Sequence, residues 1–154
     1  MQLSDLVSTK SVIASLKAGS KKQALQELSQ LAADIIGKPT REIFEILLQR
    51  ERLGSTGVGQ GIGIPHGKIA GLDRLYGIFA RLDTPIDFDA MDDQPVDLIF
   101  LLLAPESAGA DHLKALARIS RLLRDAGTVA KLRASRDPSA IYSILTEPAA
   151  SHAA

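Results

Sequence analysis

Leu53-Gly54-Ser55-Thr56-Gly57-Val58-Gly59-Gln60-Gly61-Ile62-Gly63-Ile64-Pro65-His66-Gly67-Lys68 crowds glycines 54, 57, 59, 61, 63 and 67 into one stretch, read here as a loop. Glycine lets a backbone approach its neighbour closely. A loop of this kind can aim several N–H groups at an oxyanion, most often phosphate. Two nucleotide loops are excluded by spacing. A Walker A loop needs glycine five positions before Gly67-Lys68 and Ser or Thr after it, where this chain has Ile62 and Ile69. A dinucleotide fingerprint begun at Gly57, Gly59 or Gly61 ends on Ile62, Ile64 or His66 instead of glycine. What remains is a glycine-rich segment ending in a histidine stiffened by Pro65. That arrangement suits a nucleophile held in a fixed place.

The stretch also divides the chain into two kinds of pattern. Upstream, Ser20 followed by Gln23 has the form of a capping box, and Ala24, Leu25, Leu28, Leu31 and Ala32 recur at helical spacing, predicting a helix over about 20–36. Gly37 stops it, Pro39-Thr40 restarts it, and Ile43, Phe44, Leu47 and Leu48 stripe a second helix ending near Arg52. Downstream, residues 75–82 and 97–104 are aliphatic and aromatic runs that predict two strands of a central sheet, with Gly77 marking a bulge or a close approach. Residues 84–89 alternate apolar and polar and predict a short edge strand. After Pro105, Leu113, Leu116, Ile119, Leu122 and Leu123 form one helical face, and Asp137-Pro138 opens a last helix over residues 141–145. The fold class is α/β, a single domain with a central mixed β-sheet flanked by helices. The domain spans residues 1–147, and the tail 148–154, without periodicity, is expected to be disordered.

A chain of 154 residues with 45% hydrophobic content suffices for one buried core. Eighteen basic residues balance 18 acidic ones, so no overall field draws it to nucleic acid or an anionic membrane. The absence of cysteine removes disulfides, thiolate metal sites and thiol nucleophiles together. No secretory signal is visible at the N-terminus, and the longest apolar run, residues 98–104, is far short of the roughly 20 residues of a membrane-spanning helix. A cytoplasmic location without membrane insertion is expected.

Neutral imidazole is nucleophilic near pH 7, because its ordinary pKa is about 6.5. Phosphoryl transfer asks a protein chiefly for in-line positioning and for cations or hydrogen-bond donors around the charged oxygens. Arg50, at the end of the helix feeding the glycine stretch, can offer a planar fork to phosphate. Lys68 is a second nearby cation. His112, near a predicted helix start where N–H dipoles favour anions, can donate to a phosphoryl oxygen. Taken singly, Arg50, Lys68 and His112 also read as ordinary solvated or capping residues.

Arg50-Glu51-Arg52-Leu53-Gly54-Ser55-Thr56-Gly57 followed by Gly61-Ile62-Gly63-Ile64-Pro65-His66-Gly67-Lys68 resembles the active-site signature of the fructose/mannitol-type enzyme IIA family of the bacterial phosphotransferase system. The resemblance runs from about Leu3 to Leu145 and is closest to the nitrogen-regulatory branch. It implies that His66 is the phosphorylated residue, with Arg50 and His112 as its assistants and Gly57, Gly63 and Gly67 supporting the phosphate loop. It implies no resident cofactor and no metal. The phosphoryl group would come from an HPr-like phosphocarrier and indirectly from enzyme I, ultimately from phosphoenolpyruvate. Members of the nitrogen branch regulate partners that include potassium transport components and sensor kinases. Alternatives are a sugar-branch enzyme IIA passing phosphate to an enzyme IIB, a metal-dependent hydrolase using His66, His112 and Asp111, and a non-covalent anion-binding module.

Overall fold

The computed structural model describes residues 2–147; the tail 148–154 lies outside the described residues. Ser20 caps the first helix as its spacing predicts, accepting from the Gln23 N–H at 3.1 Å, while Gln23 Oε1 accepts from the Gly19 N–H at 2.8 Å. This helix, α1, spans Lys21–Ile36 and ends on Gly37 in the left-handed region at φ 74°. The second, α2, spans Thr40–Arg52 and buries Ile43 and Leu47. Both helices lie on one face of the sheet.

The sheet is built on two long strands whose residues are buried on both faces, as near-continuous apolar runs require. These are β5, Tyr76–Ile86, and β6, Val96–Pro105, paired antiparallel with Phe79 opposite Phe100. A strand absent from the sequence reading, β1 over Val12–Leu16, pairs parallel with β5. The remaining three strands are short: β2 over Gly57–Gly59, β3 over Ile62–Gly63 and β4 over His66–Ile69. Strand order is β1-β5-β6-β3-β2, with β4 also on β6. The glycine stretch is therefore not one loop but three strand segments and their turns. Its periodicity is hidden because glycine carries no side chain to alternate.

The predicted edge strand at residues 84–89 is also corrected. Its first half continues β5, reaching Ile86 opposite Val96 after a register shift. Its second half leaves the sheet, because Asp87 Oδ1 accepts from the Asp89 N–H at 3.0 Å and Asp89 sits at φ 53°. Gly77 marks a close approach, since a Cβ there would lie 2.8 Å from the Phe100 ring.

Three further helices cover the opposite face: α3 over Ala110–Leu122, α4 over Ala126–Ala134 and α5 over Pro138–Leu145. Asp125 opens α4 by accepting from the Thr128 N–H at 2.9 Å, a cap the sequence reading passed over. Ile78, Ala80, Ile99, Leu101 and Leu103 join the core under α1 and α2. Phe79, Leu98, Phe100 and Leu102 join Ala115, Ile119, Leu132 and Ile141 on the other side. The architecture is the expected α/β single domain with a mixed sheet between helices. Among the described residues, no helix is long and apolar enough to cross a membrane.

The placement of β3 and β4 is what makes a site. Both run parallel to β6 along the same edge, Gly63 opposite Ile99 and His66 opposite Leu102. Pro65 interrupts them because it has no N–H to give, although its carbonyl still accepts from the Leu102 N–H at 3.0 Å. His66 is the first residue after that interruption. Gly67 and Ile69 alternate towards α2, so His66 and Lys68 take the side on which α3 lies.

Candidate functional site

His66 is half-buried and its two ring nitrogens have different partners. Nδ1 lies 2.9 Å from the Ile64 carbonyl oxygen. Nε2 lies 3.3 Å from Arg50 Nε. A carbonyl can only accept and a guanidinium can only donate, so the proton sits on Nδ1 and Nε2 presents its lone pair. Arg50 is itself fixed, because Nη1 donates to the Gly54 carbonyl at 2.9 Å. The sequence had placed Arg50 near His66 without choosing a nitrogen.

His112 arrives from the other side, on the first turn of α3, with its ring centroid 5.6 Å from that of His66 and the rings inclined at 65°. It is only 8% exposed, and its Nε2 is buried with no hydrogen-bond partner. A buried polar atom without a protein partner is uncommon in a folded protein, and here it lies beside the His66 ring. The three expected site residues Arg50, His66 and His112 thus come together from α2, β4 and α3. Lys68 is exposed on β4, close enough for its charge to act on His112.

Gly57, Gly63 and Gly67 lie in β2, β3 and β4 in turn. All three are buried in strands. A Cβ at Gly67 would meet Ile46 Cγ2 at 2.6 Å, one at Gly57 would meet Ala90 at 2.9 Å, and one at Gly63 would meet Phe88 at 3.3 Å. They let the segment carrying His66 pack against α2 and the 88–90 turn.

Glu51, Thr56 and Lys21 were not singled out from sequence. Glu51 carries a buried carboxylate, 6% exposed, whose Oε1 lies 2.7 Å from Lys21 Nζ. It also accepts from the Thr56 N–H at 3.0 Å and from Thr56 Oγ1 at 2.5 Å. The only sequence signal for this cluster is the position of Glu51 beside Arg50, five residues before a hydroxyl.

The basicity of both histidines is depressed below the ordinary 6.5. For His66 the main cause is burial, opposed by the Ile64 hydrogen bond, with Arg50 lowering it further and Glu51 raising it. For His112 burial again leads, followed by the charges of His66 and Lys68. Both rings are therefore neutral at pH 7. As pH falls below 6.5 the unfolded chain takes up protons before the folded one does, so stability declines through the window between 6.5 and the depressed folded values. Acid titration of the unfolding midpoint checks this. Substituting both histidines with glutamine is expected to flatten the decline.

Among the described residues no group of three His, Asp or Glu side chains is placed to share a metal ion.

A family model described as "Phosphoenolpyruvate-dependent sugar phosphotransferase system, EIIA 2" matches residues 5–147. The chain belongs to this enzyme IIA family. Among its relatives, a nitrogen regulatory protein of Bradyrhizobium diazoefficiens is 61% identical, over 99% of this chain and the whole of that protein. The nitrogen regulatory protein of Escherichia coli is 41% identical, over 96% of this chain and 91% of its own length. The crystal structure of nitrogen regulatory protein IIA-Ntr from Neisseria meningitidis superimposes with a TM-score of 0.89 at 35% identity, covering 94% of this chain and 99% of that one. The mannitol IIA of E. coli shares the fold, with a TM-score of 0.76 at 17% identity over 90% of this chain and 98% of that one. This enzyme IIA chain thus falls in the nitrogen-regulatory branch of its family. The same fold carries both branches.

Proposed function

We propose that this enzyme IIA is a cytoplasmic phosphocarrier of the nitrogen-related phosphotransferase system, which accepts a phosphoryl group on Nε2 of His66 from an HPr-like protein and regulates partners through its phosphorylation state. The observation that carries the reading is the pair of contacts on His66: a carbonyl holding Nδ1–H and a guanidinium facing Nε2. The lone pair of Nε2 attacks phosphorus, the phosphorus–nitrogen bond to the donor histidine breaks, and its electron pair stays on the donor ring. No proton has to move. The positive charge that develops on the His66 ring is met at Nδ1–H by the Ile64 carbonyl. Arg50 turns from the lone pair to the phosphoryl oxygens, and the unpartnered Nε2 of His112 supplies a further contact to them. The phosphoryl group arrives on the donor, so no resident cofactor takes part.

Docking of a folded donor is supported by the distribution of exposed large apolar side chains. Leu53, Val58, Met91 and Leu113 are 85%, 52%, 81% and 69% exposed. Two of them adjoin the site residues along the chain, Leu53 directly after α2 and Leu113 next to His112, while Val58 is in β2 and the Met91 N–H bonds to the Gly57 carbonyl of that strand. Apolar residues around a half-buried nucleophile suit a protein surface better than a sugar. Once phosphorylated, the same face carries a dianion in place of a neutral ring, so partners that fit one state are repelled or left with a buried unpaired charge in the other.

The pH dependence of transfer provides a test. Because only neutral imidazole attacks and its basicity is depressed, the single-turnover rate is expected to be level from pH 8 to below 6.5 and to fall as pH passes the lowered value. A rate that already falls at neutral pH contradicts the assignment of His66 as nucleophile.

A further inference from the structure

We propose that Glu51, clamped by Lys21, is a positioning residue that sets the orientation and tautomer of the His66 ring through Thr56 and Ile64. The inference rests on the phosphocarrier reading of His66. Its geometric basis is an unbroken series of contacts. The Glu51 carboxylate accepts from the Thr56 N–H and Oγ1. The Thr56 carbonyl accepts from the Ile64 N–H at 2.9 Å. The Ile64 carbonyl then accepts from His66 Nδ1–H at 2.9 Å. The same carboxylate closes the turn over residues 51–56, and that turn presents the Gly54 carbonyl to Arg50 Nη1 at 2.9 Å. Glu51 therefore determines both sides of the Nε2 contact, the ring through Ile64 and the guanidinium through Gly54.

A buried ion pair is a poor device for stability alone, because desolvation takes back most of the attraction, while breaking it leaves a charge stranded. Its value here is directional. Three donors of fixed geometry converge on one carboxylate: an ammonium, a backbone N–H and a hydroxyl, with Thr56 only 4% exposed. Lys21 is held in turn, as the first residue of α1 and with its ammonium 4.8 Å from the centre of the Phe88 ring. Burial of Ile62 and Ile64 and the Pro65 carbonyl bond to Leu102 anchor the segment on β6, and the clamp at its entrance adds the Thr56 carbonyl contact that turns the Ile64 peptide towards His66. Misplacing a reacting atom by about 1 Å can cost on the order of 100-fold in rate.

The test uses the full chain with Glu51→Gln, Thr56→Val and Thr56→Ser. Two quantities are read: the transfer rate from a phosphorylated HPr-type carrier at saturating and limiting donor, and the ¹⁵N signals of the His66 ring in the unphosphorylated protein. Glu51→Gln is expected to lower the saturating rate about 10- to 100-fold with the half-saturating donor concentration unchanged. The ring nitrogens move from one protonated and one bare position towards averaged values. Thr56→Val shifts both readouts the same way and Thr56→Ser restores them. If Glu51→Gln does not fold, the Thr56 pair alone decides. Either readout staying at its wild-type value in the folded variants overturns the inference, because a merely structural clamp lowers the unfolding temperature without touching the ring. If the wild-type chain accepts no phosphoryl group, the carrier reading fails, and the nitrogen signals alone decide whether Glu51 sets the ring.

Discussion

His66→Ala is expected to remain unmodified after incubation with phosphoenolpyruvate, enzyme I and an HPr-type carrier, while the wild-type protein gains one acid-labile phosphoryl group by intact mass. The loss is complete, not graded, because no other side chain in the site can substitute. His112 is buried with its ring set at 65° to that of His66, and it lies on α3 and not on the interrupted strand edge. Acid lability follows from the bond type: protonation of a phosphorylated imidazole makes the ring a good leaving group, whereas a phosphoserine survives acid. The fold tolerates the substitution, since His66 is half-buried and its backbone pairing with Leu102 in β6 does not depend on the side chain. Wild-type protein that stays unmodified with several carriers sinks the phosphocarrier reading and favours an anion-binding module.

Arg50→Ala is expected to slow transfer by about 100- to 1,000-fold, the usual consequence of deleting one donor aimed at developing oxyanion charge. Two further readouts separate this from general damage. The basicity of His66 rises, because the Arg50 charge is one of the causes holding it down. Arg50→Lys recovers little, since one ammonium cannot face His66 Nε2 and the Gly54 carbonyl together as the two guanidinium nitrogens do. A lysine variant with near wild-type rates contradicts the assignment of the planar fork.

Helices were the most legible part of the chain because their caps and stripes are local. Ser20, Gly37 and Asp137 mark boundaries at positions the structure confirms. Helix α4 escaped because Gly127 and the absence of a strong apolar stripe conceal it, although Asp125 and Thr128 form a usable cap. Strands β5 and β6 were legible as apolar runs. The short strands β2, β3 and β4 were not, because their register comes from pairing with a distant β6 and not from any alternation of their own. His66, Arg50 and His112 could be named from residue type and family signature. Which nitrogen of His66 is bare could not, since it depends on a carbonyl and a guanidinium brought together only by the fold. The clamp role of Glu51 was illegible for the same reason: a buried carboxylate on α2 is indistinguishable in sequence from a solvated one.

The edge-sharing of β3 and β4 on β6 joins two regions of unequal permanence. Strand β6 is hydrogen-bonded on both sides and covered on both faces, so its amides exchange with solvent only when the whole domain opens. Strands β2 and β3 form a hairpin of few residues at the end of the sheet, and Val58 in its outer strand is open to water. Amides of that hairpin are expected to exchange before those of β6, so that the rim can shift while His66 keeps its place against Leu102. A carrier that must meet a donor and then unlike targets gains from that division: its border can adapt to successive partners while the reacting atom stays at one address.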